Sequence, residues 1–223
     1  MGFTRRRVLA ATIGLAAVLV IVAGAWRFDV LGLATAMCTE KPSMADLMQP
    51  GPLGEKSQGS ANAPVTIIEY ASLTCTHCAR FATTVYPTLK SRYIDTGKVR
   101  YILREAPTDD VAEAAAVLSR CVDDSKYFAL VEVLFRTQAD WAFVPDHATA
   151  LFRIARQAGF TQQSFERALA NQQVLDGIQW VAQRAQEKFC VDGTPTFFIN
   201  GTVRHGEMTV DELDRLLQPL LKT

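Results

Sequence analysis

Three patterns of apolar and polar positions run along this chain. Residues 8–26 are apolar on every side, with Arg5, Arg6 and Arg7 just ahead of them. Four short runs, 65–70, 99–104, 196–199 and 202–205, read as strands by their content of β-branched and aromatic residues. Between the second and third of these runs, apolar residues recur at helical spacing over 111–121, 125–137, 145–158, 164–169 and 174–189. Asp109 and Asp110 suit a helix start and Gly159 a helix stop. One more helical stretch follows residue 78 and is expected to end near Thr96-Gly97. A last one runs from 210 to about 220, capped by Thr209 with Asp211 and Glu212 in its first turn.

Strands on both sides of a block of helices predict an α/β fold, in which an α-helical insertion over about 107–189 separates two parts of one sheet. The run 65–70 is apolar on both faces except at Glu69, as a central strand covered on both sides requires. Glu69 therefore either lies at a solvent-facing end or is buried, and burial would raise its pKa. Asn200-Gly201 is a strong hairpin turn between 196–199 and 202–205. Pro195 stands just before a buried strand. It either opens that strand in trans or forms a cis bond that leaves the N–H and C=O of Thr194 free for an extended peptide.

Charge and composition narrow the function. The 23 basic and 23 acidic side chains cancel, and no basic run lies outside the N-terminus, so nucleic acid is not an expected partner. Among 223 residues, five cysteines are too few for a disulfide scaffold, and the core must be hydrophobic. The N-terminal arginines and the apolar run behind them direct the body of the chain across a membrane. That run, 19 residues long, is close to the ~20 residues of a spanning helix. It is longer than the apolar core of about 7–15 residues in a signal peptide. Residues 1–36 are thus a signal anchor or a signal peptide cut after Ala36, with Thr4-Arg5-Arg6-Arg7 similar to a twin-arginine signal. Cys38 invites a lipoprotein reading, but Met37 fits poorly before it. Either way the folded part is expected outside the cytoplasm, in a periplasm-like compartment where disulfides persist, anchored by residues 8–26 or soluble after cleavage. Residues 37–62 hold Pro42, Pro50, Gly51, Pro52, Gly54 and Gly59 and read as a linker, with a short extended piece near 53–58. The folded domain is expected over 63–223.

The chemistry concentrates at Cys75-Thr76-His77-Cys78, where the strand 65–70 hands over to a helix. Free N–H groups and the positive end of the dipole at a first helical turn stabilise a thiolate, and a low-pKa thiol both attacks and leaves readily. Cys75 is read as the exposed nucleophile and Cys78 as the resolving thiol one turn below. His77 can donate a hydrogen bond or a charge to the Cys75 thiolate, which favours the reduced form and makes the disulfide a stronger oxidant. Glu69, if buried beneath the sulfurs, can exchange a proton with Cys78. Zinc would need further ligands, yet Cys121, Cys190, His147 and His205 stand alone in sequence. A structural disulfide does not call for a polar Thr-His insert, and Ala79 excludes a haem attachment motif. No metal or cofactor is expected. The pairing of Cys38, Cys121 and Cys190 stays open.

Three stretches together, Ala63-Pro64-Val65-Thr66-Ile67-Ile68-Glu69-Tyr70, Cys75-Thr76-His77-Cys78 and Gly193-Thr194-Pro195-Thr196-Phe197-Phe198-Ile199-Asn200-Gly201, resemble the DsbA-like thiol–disulfide oxidoreductases. The resemblance covers roughly 60–220. It implies a thioredoxin fold with a helical insertion, in which Cys75 attacks, Cys78 resolves, Glu69 matches the buried acid and Pro195 the cis-proline. Thr194, Pro195 and Thr76 would meet the substrate. Thr76 departs from the proline of the best-known members, which bears on the redox potential and not on the reaction type. The resemblance implies an oxidase that passes its Cys75–Cys78 disulfide to reduced exported proteins and is reoxidised by a quinone-linked membrane partner. The alternatives are an isomerase or reductase kept reduced by a membrane electron donor, and a non-catalytic holdase that grips unfolded chains.

Overall fold

The computed structural model describes Cys38 and residues 41–222. The apolar run 8–26, the arginines before it and the Ala36 site lie outside the described residues. Among those described, no helix is long and apolar enough to cross a membrane.

The described strands are β1 (Lys56–Gln58), β2 (Val65–Ala71), β3 (Val99–Glu105), β4 (Thr196–Ile199) and β5 (Thr202–His205), in one sheet of order β1-β3-β2-β4-β5. β2 lies at the centre, parallel to β3 and antiparallel to β4. Its position explains its composition: a strand paired on both sides and covered on both faces has no surface on which water can rest. Successive residues point to opposite faces. Ile67 and Phe197 enter one hydrophobic cluster, and Ile68 and Phe198 enter the other. Asn200 and Gly201, both at positive φ (46° and 85°), turn β4 back into β5.

After β2 the chain enters α2 (Thr76–Thr84), breaks at Val85, and continues through α3 (Tyr86–Leu89) and a π turn (Lys90–Ile94). The single helix expected to run to Thr96-Gly97 is interrupted because Pro87 has no N–H to donate to the carbonyl of Thr83. The insertion comprises α4 (Asp110–Arg120), α5 (Tyr127–Arg136), α6 (His147–Gln157), α7 (Gln162–Leu169) and α8 (Gln172–Phe189). Asp109, Asp146, Thr161 and Asn171 cap four of these N-termini with side-chain oxygens. A capping box of Thr209 and Glu212 opens α9 (Val210–Leu220).

The extended piece expected near 53–58 is present as an edge strand, whereas residues 41–62 as a whole pack on the domain where a linker over 37–62 was expected. They form α1 (Met44–Leu47) and the edge strand β1. Leu47 is fully buried against Ile68, Tyr70 and Phe198 in the second cluster. Gly177 of α8 has no side chain because Leu53 occupies that space: a Cβ there would stand 2.5 Å from Leu53 Cγ. The deeper reason is electrostatic. The guanidinium of Arg104 is buried in β3 and needs acceptors. It donates to the Glu55 carboxylate (3.0 and 3.3 Å), to Leu47 O (2.7 Å) and to Tyr70 Oη (2.7 Å). Arg120 pairs through both Nε and Nη2 with Glu105 (2.5 and 2.7 Å) and also donates to the carbonyls of Leu53 and Gly54. A disulfide from Cys38 to Cys190, the left-handed residue that ends α8, fastens the same segment covalently.

Leu47→Ala tests this packing. A buried leucine in a domain core is expected to cost about 2–5 kcal/mol in equilibrium urea unfolding. A loss below about 0.5 kcal/mol would return residues 41–62 to the status of a linker.

Candidate functional site

The site forms where β2 ends. Its last residue is Ala71, and four residues later Cys75 occupies the N-cap of α2. A polar cluster holds the connecting loop. Ser72 Oγ lies 2.9 Å from Thr108 Oγ1, and Thr74 donates to Asp109 at 2.6 Å. Gln138, buried in the insertion, donates to Leu73 O (2.8 Å) and Cys75 O (3.0 Å). Asp109 also caps α4, so one carboxylate joins the insertion to the loop beneath the cysteines.

Cys75 and Cys78 are thiols in this structure, as is Cys121. Cys75 is half-buried, and Cys78 is fully buried one turn below. The Cys75 thiol lies 3.2 Å from the carbonyl of Thr194, and the Thr194–Pro195 bond is cis. Structure thus brings together Cys75, Cys78 and Thr194 across a sequence separation that no local pattern spans. Thr76 is exposed at the first helical position.

Three titrating groups diverge in their environments. The Cys75 pKa is pushed down to about 5, chiefly by a hydrogen bond with Cys78. Thr194 and the main-chain N–H groups of Cys78 and His77 add to this, against partial burial. Burial drives the Cys78 thiol far up, reinforced by its hydrogen bond to Cys75 and the charge of Glu69. Glu69 is only 2% exposed, so of the two placements open to it the structure shows the buried one. Burial raises its pKa to about 8, while the Tyr101 hydroxyl, donating to Glu69 Oε2 at 2.5 Å, pulls it down, and the Cys75 charge pushes it up.

The hydrogen bond expected from His77 to Cys75 comes from the main-chain N–H of His77. Its side chain is largely exposed and turned to Glu207, with Nδ1 3.3 Å from an oxygen that Arg80 also contacts at 2.5 Å. The open cysteine pairing resolves as Cys38–Cys190, leaving Cys121 a half-buried thiol whose pKa is raised by burial. Among the described residues no cluster of three or more His, Cys, Asp or Glu side chains could hold a metal ion.

Sequence reasoning missed Gln138, Tyr101 and Asp109 as parts of the site. Gln138 had a faint signal, as a polar residue just beyond the apolar stretch ending in Leu134 and Phe135. Tyr101 had none, since its hydroxyl meets Glu69 only once β3 is paired to β2 in parallel register.

A family model described as Thioredoxin matches residues 53–219. A Rickettsia conorii protein with the provisional name protein-disulfide oxidoreductase is 31% identical over 169 residues, covering 74% of this chain and 59% of that protein. The match thus spans about three-fifths of the length of that relative. Among solved structures, alpha-DsbA1 of Wolbachia pipientis has a TM-score of 0.74 at 31% identity, over 82% of this chain and 96% of that one. Oxidised BdbD of Bacillus subtilis, at 20% identity and a TM-score of 0.69 over 84% of this chain and 99% of that one, shares the fold.

In the reduced protein, alkylation of Cys75 by iodoacetamide should titrate with a midpoint near 5, with Cys78 unreactive across the range. A midpoint near 8.5, the ordinary thiol value, would contradict this electrostatic picture. The depressed folded-state pKa of Cys75 stabilises the reduced form as pH rises from about 5 to 9, while the raised pKa of Glu69 destabilises it from about 4.5 to 8, so the two nearly offset below pH 8. The Cys75 part is isolated as the difference between reduced wild type and Cys75→Ser in urea unfolding across pH, complete above pH 9 and lost as pH falls to about 5.

Proposed function

We propose that this chain, which belongs to the DsbA-like branch of the thioredoxin superfamily, is a thiol–disulfide oxidoreductase that donates its Cys75–Cys78 disulfide to reduced exported proteins. The observation that carries the reading is the Cys75 thiol with its pKa near 5 at a helix N-terminus. Whatever stabilises the thiolate stabilises the reduced enzyme, and a stabilised reduced form makes the disulfide a better oxidant.

The reaction runs in two exchanges. A substrate thiolate attacks Cys75 Sγ, the more exposed sulfur, and the electron pair of the disulfide leaves on Cys78 Sγ. Cys78 sits in a buried site that disfavours the thiolate, so it takes a proton, and protonated Glu69 is the donor. A second substrate thiolate then attacks the substrate sulfur of the mixed disulfide, and Cys75 leaves as its stabilised thiolate. The substrate loses two electrons as a new disulfide forms, and the enzyme holds them as a dithiol. The carbonyl of Thr194, already beside Cys75 Sγ, can pair with an extended substrate backbone. Thr76 lies exposed next to it on the approach.

The proposed compartment is extracytoplasmic, in agreement with a Cys38–Cys190 disulfide that would not persist in a reducing cytoplasm. Residues 8–26 would anchor the chain or be removed with a signal peptide. A membrane partner, linked to quinone as the family likeness implies, would reoxidise the dithiol.

The deciding measurement is the reduction potential of Cys75–Cys78. The purified full chain would be equilibrated in glutathione buffers and scored on the peptide carrying both cysteines. A value at or above about −180 mV, that of protein disulfide isomerase, supports the oxidase; one near −270 mV, that of thioredoxin, makes the chain a reductase. Cys75→Ser should abolish disulfide transfer to a reduced protein substrate. Activity that survives this change would leave only a peptide-binding role.

A further inference from the structure

Glu69 must lose or regain a proton in every turnover, yet it lies within the central strand with almost no exposure. A small cavity adjoins it. About 20 Å³ in volume, it is lined by Glu69, Tyr86, Tyr101, Phe128, Ala82 and Glu132, with further apolar side chains closing it. One water needs about 10–15 Å³ and two or more polar partners. The volume suffices, and the two carboxylates can supply the partners; the Tyr101 hydroxyl is spent on Glu69 and the Tyr86 hydroxyl on Gln58.

Ala82, Tyr86 and Glu132 also form part of a second, open cavity of about 360 Å³ on the protein surface, beside Lys90, Asp95 and Arg136. These three residues are therefore the wall between the inner space at Glu69 and the solvent. Glu132 belongs to α5 of the insertion, is partly exposed, and is the only carboxylate common to both spaces.

We propose that Glu132 is the proton outlet of Glu69: a water in the inner cavity carries protons between the two carboxylates, and Glu132 exchanges them with solvent. This rests on the role of Glu69 in the proposed function and adds a residue of the helical insertion to it. When Cys78 attacks a mixed disulfide at Cys75, its proton passes to the Glu69 carboxylate, the Cys75–Cys78 bond forms, and the other thiol leaves with the electron pair. Glu69 then returns its proton through the water to Glu132 and out. The oxidase direction runs the same steps in reverse. The ionisable groups facing Glu69 are Cys75 and Cys78 at α2, Tyr101 of β3, Tyr86 of α3 and Tyr127 of α5. Each is an acid, and Tyr101 and Tyr86 are held neutral at working pH by burial, so none competes with Glu132 as a surface acceptor.

The test is a stopped-flow measurement on the full chain. Reduced protein is mixed with a fluorogenic peptide disulfide, and conversion of the mixed disulfide to Cys75–Cys78 is followed across pH, in low and high concentrations of imidazole buffer. Glu69→Gln should slow this step about 100-fold, the lower end for general acid–base catalysis, and remove its dependence on a group titrating near 8. Glu132→Gln should slow it about 5- to 10-fold at low buffer and recover as imidazole rises, which no purely structural defect would do. Ala82→Val, which fills the inner cavity while leaving both acids, should reproduce the deficit without the rescue. A wild-type rate in either Glu132→Gln or Ala82→Val, or a Glu132→Gln defect indifferent to buffer, overturns the outlet while a slow Glu69→Gln keeps the proposed function. A wild-type rate in Glu69→Gln overturns both the outlet and the role of Glu69 as proton donor, leaving disulfide transfer by Cys75 to its own tests.

Discussion

A sulfur anion at the start of a helix, above a carboxyl group kept from solvent, is the arrangement on which the rest of this molecule depends. The two groups cannot comfortably hold full charge together, so their surroundings separate them. The hydrogen bond from Cys78, helped by main-chain N–H groups at the first turn of α2, favours charge on Cys75, while burial on both faces of the sheet disfavours it on Glu69. One strand produces both effects. β2 is central, so its fifth residue is enclosed; β2 is also parallel to β3, so its end delivers the helix N-terminus to the same edge of the sheet. β4 runs antiparallel beside it and brings Thr194 to that edge from the far side of the insertion.

Buried ions hold the surrounding frame in register. Arg104 and Arg120 each sit in the interior with a carboxylate, and each also reaches carbonyls of the segment ahead of β1. Such pairs add little net stability, because desolvation offsets most of their attraction, but losing one partner strands a buried charge at a large cost. Tyr127 Oη donates to Glu105 at 2.7 Å, so the same carboxylate aligns α4 and α5 on the sheet. α5 is thereby fixed in rotation, which sets Glu132 toward the inner cavity and Phe135 into the core.

The strands and longer helices were legible because their periodicity is a local consequence of which face meets water. β2, β4 and the Asn200-Gly201 turn appear in the sequence almost as they stand in the structure, and so do the cysteines at the head of α2. What was illegible is non-local. Apart from the extended piece near 53–58, residues 41–62 looked like a linker, since a four-residue helix is too short to show a period and their prolines and glycines resemble loop chemistry. Their partners, Arg104 and Gly177, lie far along the chain. His77 was assigned to the sulfur beside it, and its ring meets Glu207, 130 positions away. Cys38 and Cys190, separated by 152 residues, carry no local mark of their pairing.

That bridge has a mechanical meaning. Tension applied to the chain ahead of Cys38 does not travel through residues 41–189, because the covalent link hands it directly to Cys190. The cysteine loop, the sheet centre and nearly all of the insertion lie inside the closed ring, off the load path. A tether at that end could swing, stretch or be tugged while the spacing of Cys75, Cys78 and Glu69, all inside the ring, stays as the fold sets it.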